Sequence, residues 1–161
     1  MATPELVTLE PMPAEAWAEW RSTEVRGYAA DKVRAGTWPA EGALERAERE
    51  FTQVLPEGLA TPGHAIRSIV NEAGEAVGML WFGPLHETGR GTCFIWDIVV
   101  LAEARGRGYG RAALATLEPI ARSLGYDAIG LHVFGDNEGA RHLYRSSGYV
   151  ETDVMMRKVL G

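Results

Sequence analysis

The sequence predicts a mixed α/β domain, with a central mixed sheet and helices on both faces. Three observations predict it. Two apolar runs separated by turn residues stand mid-chain and read as a hairpin. A strand–loop–helix–strand–helix–strand series follows and needs crossover connections. The 161 residues, 46% hydrophobic and 24% charged, suit one domain spanning 1–161 around a single core. A hairpin with later crossovers makes the sheet mixed.

Residues 6–9 form a short apolar run ended by Pro11 and Pro13, and Pro13 suits a first helical turn. Residues 14–35 read as a helix closed by Gly36, carrying Trp17, Trp20 and Tyr28. A second helix is expected from near Pro39 to Leu55, with Ala43, Ala47, Phe51 and Val54 at helical spacing. Residues 56–64 are a loop by composition. Residues 65–70 and 76–82 make the hairpin, and 92–101 the long central strand. A helix over 108–124 follows, with Pro119 expected to bend it. Residues 128–134 read as a strand, 137–147 as a helix and 149–159 as a final strand region.

The chain turns on 94–111, FIWDIVVLAEARGRGYGR, where a β-branched strand runs into a glycine-rich loop that opens a helix. Free N–H groups at a helix N-terminus attract anions. Gly106, Gly108 and Gly110 let backbone approach a phosphate, and Arg105 and Arg107 can pair with its oxygens. The loop is not G-x-G-x-x-G, because Arg111 falls on the last position, and the chain contains no Gly-Lys pair for a P-loop. It does fit [RQ]-x-x-G-x-[GA], through Arg105, Gly108 and Gly110.

Downstream, 131–149 reads LHVFGDNEGARHLYRSSGY, and Asn137, Ala140, Tyr144, Gly148 and Tyr149 follow N-x-x-A-x-x-x-Y and Gly-Tyr. These two blocks, in this order, make the chain resemble the GNAT superfamily of N-acetyltransferases. The resemblance implies the GNAT sheet, mostly antiparallel, whose two parallel strands splay apart to admit acetyl-CoA. It implies diphosphate binding by Arg105, Gly106, Arg107, Gly108, Tyr109, Gly110 and Arg111. It also implies pantetheine pairing with exposed strand backbone at Ile98, Val99 and Val100, and cofactor contacts along the face of Asn137, Ala140 and Tyr144. The Val100 N–H is then the oxyanion donor and Tyr144 the donor to the leaving thiolate.

Asp97 is the candidate base. A carboxylate within IWDIVV is costly unless it meets water or a partner. Alternation is expected to put Asp97 and Val99 on one face, and Trp96 and Ile98 on the other. Asp97 could equally pair with an arginine or hold a cationic acceptor. The tryptophans read mainly as packing anchors, His64 and His86 as structural or solvated, and Cys93 as core. Neither histidine has a second ligand at metal spacing, so no metal is expected.

A net charge of −6 argues against a nucleic-acid binder and favours a cationic acceptor, either a small-molecule amine or a protein amine. One cysteine fits a reducing compartment, and the N-terminus lacks a signal-peptide pattern, so a cytoplasmic location is expected. No apolar run is long enough to span a membrane. The resemblance leaves a homodimer open. The leading expectation is an acetyl-CoA-dependent N-acetyltransferase; the alternative is a non-catalytic acyl-CoA-binding module.

Overall fold

In the computed structural model, which describes residues 6–85 and 91–161, the strands are β1 (Val7–Pro11), β2 (Ala65–Asn71), β3 (Ala76–Pro84), β4 (Thr92–Val100) and β5 (Ala128–Leu131). The helices are α1 (Trp17–Arg34), α2 (Ala43–Val54), α3 (Tyr109–Ser123) and α4 (Glu138–Ser146). His86 lies outside the described residues. The strands form one sheet in the order β1-β2-β3-β4-β5. The first three pairings are antiparallel and the last, β4 with β5, is parallel.

Each face buries its own cluster. Ile69, Leu80, Phe82 and Ile95 pack under Leu114 and Leu117 of α3. Ile66, Met79 and Trp81 pack under Val25 of α1 and Ala47 and Phe51 of α2. Strand alternation delivers both sets from the same strands. Helices therefore lie on both faces of a mixed sheet. Pro119 sits on the wet side of α3, where Ala115 is also exposed, so the carbonyl orphaned by the missing N–H can meet water.

Two expectations are corrected. α2 begins at Ala43, not near Pro39: Trp38 is buried against Tyr28, and Gly42 takes φ 74° just before the helix. That left-handed turn suits glycine and restarts the chain in a new direction. The second correction concerns 149–159. Tyr149 packs against Tyr144, but the residues after it join no strand. Glu151 is drawn to Arg141 and Arg145 on α4, and the Arg157 guanidinium donates to the Gly36 carbonyl, 3.0 Å away. These contacts carry the tail past the end of α1 rather than along its own sheet.

Gly78 sets the β3–β4 spacing. A Cβ built there would stand 2.1 Å from the Val99 carbonyl oxygen, a backbone atom that cannot swing away. Gly78→Ala is expected to destabilise the protein by about 1–3 kcal/mol, the range for overpacking. A denaturant midpoint equal to wild type would show that β4 can shift freely.

Candidate active site

The β4–β5 ladder runs from Thr92/Ala128 to Ile95/Leu131 and stops there. β4 continues to Val100 while β5 ends at Leu131, so the parallel strands part and the β5-side flank of 96–100 is unpaired. The Leu101 N–H donates to the Val77 carbonyl across the β3 side. Backbone polar groups alternate along a strand, so the N–H and C=O of Val100 turn the other way, into this cleft. Arg105 Nε donates to that Val100 carbonyl at 3.0 Å and closes the end of the cleft.

The glycine loop begins there. Buried Ala104 anchors its start, and Gly106 and Gly108 take φ 77° and 84°. Neither has backbone within reach of an added Cβ, so conformation, not space, requires glycine at both. At Gly110 a Cβ would stand 3.2 Å from the Leu143 side chain of α4, which would have to give by a few tenths of an ångström, and 3.7 Å from Val100, an ordinary contact. This contact brings the start of α3 against α4 and the end of β4. The first bond into α3 runs from Ala112 N–H to the Gly108 carbonyl. Tyr109, Gly110 and Arg111 then have N–H groups free of helical partners. Arg107 is exposed. Arg111 instead ties α3 to α4, donating to Ser146 O at 3.0 Å and Oγ at 2.7 Å.

On α4, the Asn137 carboxamide oxygen accepts from Ala140 N–H at 3.1 Å and caps the helix. Half-buried Tyr144 packs with the α3-side cluster. Burial and then the nearby Asp97 charge push its phenol up to about 12. Asp97 belongs to the opposite face of the sheet, yet its charge reaches the phenol.

A bulge in β4 places Asp97. Trp81 opposes Asp97 while Phe82 opposes Ile95, leaving Trp96 as the extra residue. Trp96 consequently joins Asp97 on the α1 side and stacks on Trp81 at 5.3 Å and 17°, contrary to simple alternation. Ile98 does lie on the α3 side and Val99 on the α1 side.

Sequence reasoning missed Glu24. It projects from α1 toward Asp97, and burial followed by the proximity of Asp97 pushes its carboxyl up to about 9. Burial also raises Asp97, as does the Asp31 charge, while Glu24 and the Ile98 N–H pull it down as hydrogen-bond partners. Two ionised carboxylates have no donor between them, and Asp97 Oδ2 is then a buried acceptor without a partner. A proton shared between the two carboxyls supplies the donor, and burial favours holding it. The signal was present in the sequence: Trp20, Glu24 and Tyr28 recur every four residues, setting a carboxylate in the aromatic stripe of α1.

Among the described residues, the indole N–H groups of Trp20 and Trp96 are also buried without partners. Trp81 Nε1 donates to His64 Nδ1 at 3.2 Å. The packing of α1 on β4 thus combines aromatic surface, two unused donors and a carboxylate pair. Cys93 is buried in the core and its thiol is pushed up to about 11, so it is a poor nucleophile. Among the described residues, no group of three or more His, Cys, Asp or Glu could hold a metal ion, and no helix is long and apolar enough to cross a membrane.

Glu24 gives a sign-defined prediction. Its folded pKa lies above the ordinary 4.5, so its contribution to stability is full below that value and is lost as pH rises toward about 9. Glu24→Gln is expected to flatten the decline in denaturant midpoint between about pH 5 and 9. An unchanged slope would place that carboxylate in water.

A parted parallel pair, a glycine loop at a helix N-terminus and a half-buried tyrosine on the helix packed against that loop define an acyltransferase-type fold. The Acetyltransferase (GNAT) family model matches residues 15–149. N-acetyltransferase YycN of Bacillus subtilis (strain 168) is 40% identical over 154 residues, covering 96% of this chain and 99% of YycN. Its crystal structure superposes with a TM-score of 0.88, covering 96% of this chain and 98% of the other. N-acetyltransferase YdgE of the same organism is 36% identical over 155 residues, with 95% and 98% covered. Likeness of fold extends to AAC(6')-Iy in complex with the bisubstrate analogue CoA-S-monomethyl-acetylneamine, at 19% identity, TM-score 0.58, and 96% and 99% coverage. The chain belongs to the GNAT acetyltransferase family.

Proposed function

We propose that the chain, acting as one domain, moves an acetyl group from acetyl-CoA to a primary amine by direct attack. The observation that supports this reading is the unpaired β4 flank beyond Ile95, the positive-φ turn at Gly106 and Gly108, and Tyr144 on the helix whose Leu143 approaches Gly110. In the fold-related AAC(6')-Iy, a CoA-based bisubstrate analogue is bound.

The exposed β4 flank pairs with the pantetheine amides through the N–H and C=O groups of Ile98 and Val100, while those of Val99 turn to β3. The N–H groups of 106–111 take the diphosphate, assisted by Arg105 and Arg107. Arg111 positions α4 through Ser146, and Asn137 and Ala140 shape the helix face beside the thioester. The amine nitrogen attacks the thioester carbonyl carbon. The Val100 N–H steadies the resulting oxyanion, a contribution of roughly 2.7–4 kcal/mol. The Asp97–Glu24 pair accepts the proton shed by nitrogen. The C–S bond then breaks, releasing an amide and the CoA thiolate.

Tyr144 faces that thiolate. With its phenol at about 12 and a thiol near ~8.5, full proton transfer costs about 5 kcal/mol. Tyr144 therefore acts by donating a hydrogen bond to sulfur, and the proton reaches it from water. The acceptor is a small-molecule or protein-borne amine that arrives as a cation, met by the carboxylates and by the Trp20 and Trp96 rings, and it gives one proton to water before its neutral nitrogen attacks. The reaction is placed in the cytoplasm and uses no metal.

The test is release of free thiol from acetyl-CoA on addition of an amine panel. Amine-dependent release supports transfer. CoA binding without turnover across small amines and amine-bearing peptides would favour the non-catalytic binding module.

A further inference from the structure

An amine that arrives as a cation loses two protons in becoming an amide, one before its nitrogen attacks and one after. The Asp97–Glu24 pair takes the second. The first is the harder to remove, because an amine with the lysine pKa of ~10.4 is neutral in only about one part in 2,500 at pH 7. A group beside the cleft that is neutral at that pH and open to water can take this proton.

His132 has that place. The β4–β5 ladder ends at Ile95 and Leu131, and His132 is the next residue, the first past the parting on the β5 lip. Ile129 and Leu131 pack on the α3 side, so alternation turns His132 to the α1 side, the face of Asp97 and Glu24. Lys32 of α1 acts on it there. His132 is exposed to water, and its ring meets that of Phe134 at 5.3 Å and 90°. Among the described residues, no hydrogen bond occupies either ring nitrogen. A neutral imidazole then keeps one nitrogen as a free acceptor.

The surroundings favour that neutral form. Burial of part of the ring, then the Lys32 charge, lowers the His132 pKa below the ordinary 6.5. Lys32 is kept near by the rings of Tyr28 and Trp38, 5.4 and 5.8 Å from its ammonium. Arg34, also of α1, lies over Phe134 at 5.7 Å, and its charge is met by Asp31 and Asp136. On β4 the carboxyl of the same face is Asp97, beside Glu24 of α1.

We propose that His132 is the relay for the acceptor's first proton, a role that rests on the acyl-transfer reading. An ammonium N–H bond breaks toward a bridging water, and that water passes a proton to the free imidazole nitrogen. The lone pair released on the amine forms the new C–N bond while the imidazolium holds the proton. The imidazolium then returns it to solvent.

The test compares wild type with His132→Gln, using an alkylamine that wild type acetylates. Wild type can use the ammonium form, whereas the variant must wait for amine already neutral in solution. The ratio of kcat/KM, wild type to variant, should be about 10²-fold at pH 7 and fall toward one as the pH nears the amine's own pKa. A ratio of one at pH 7, or a deficit that stays constant with pH as a packing role would give, would overturn the relay and leave acyl transfer standing. A wild type that releases no thiol with any amine would overturn both. Should the variant not fold, ring ¹⁵N NMR of wild type decides. The His132 titration should lie below 6.5 in the free protein and move lower when CoA and the amine cation are bound. A titration that ignores the amine would overturn the relay.

Discussion

Replacing Asp97 with asparagine is expected to lower kcat by about 10²–10⁴-fold, the range for loss of a positioned general base. The same change should remove the acid-side limb of the kcat/KM profile. Asp97 sits at the bulge in β4, opposite Trp81 and beside Glu24. Burial, the first cause of its raised pKa, makes it a stronger base than an exposed aspartate. Only a deprotonated carboxylate can accept a proton, so activity should rise with pH as the pair gives up its first proton, while the amine itself must also be neutral. The carboxamide of the Asp97→Asn variant keeps the size and cannot take the proton. CoA affinity should change little, because the phosphate loop lies beyond the end of β4. Wild-type turnover and an intact acid limb would leave Asp97 a packing residue.

Tyr144→Phe is expected to reduce kcat by about 10–10⁴-fold with little change in CoA binding. The phenol is held protonated, at about 12, by burial and by the Asp97 charge. It therefore remains a donor throughout the working pH range. Losing the hydroxyl leaves the departing sulfur without that donor, while the ring still packs against Tyr149 at 5.8 Å. Because the phenol does not titrate below about 12, the variant should keep the shape of the wild-type pH profile while its amplitude falls. That distinguishes it from Asp97→Asn. A leaving group with a lower pKa needs less help, so the deficit should shrink with thioesters of more acidic thiols. Unchanged turnover would remove the role.

Most of the fold was legible because its signals are local. Apolar alternation in β2, β3 and β4 and helical spacing in α2 and α3 put those elements within a few residues of where they stand. Gly36, Gly125 and Gly148 all take positive φ at chain reversals, as punctuation by glycine implies. What escaped depended on partners distant in sequence. The Trp96 bulge arises only because β3 pairs with β4, so strict alternation assigned Trp96 to the wrong face. Glu24 acquires its character from Asp97, far along the chain, although its place in the α1 aromatic stripe was visible. The strand expected over 149–159 does not form: past Tyr149 the segment joins no strand, and its contacts run through Glu151 to α4 and Arg157 to Gly36, partners that its own pattern does not disclose.

The loop glycines show both situations side by side. Gly106 and Gly108 are explained by φ alone, a property of the local turn. Gly110 lies close to Leu143 of α4, a neighbour distant in sequence. The same close approach sets the start of α3, with its free N–H groups, beside the helix that carries Tyr144. Under the proposed function, that one contact would set the diphosphate and the sulfur relative to each other.

A crystal structure with CoA bound tests this most directly, through the position of two groups on one ligand. The diphosphate should rest on the backbone N–H groups of 106–111, and the sulfur should lie within about 4 Å of the Tyr144 hydroxyl, close to hydrogen-bond reach. CoA lodged away from the β4–β5 parting, or a sulfur turned from Tyr144 with the diphosphate in place, would contradict it.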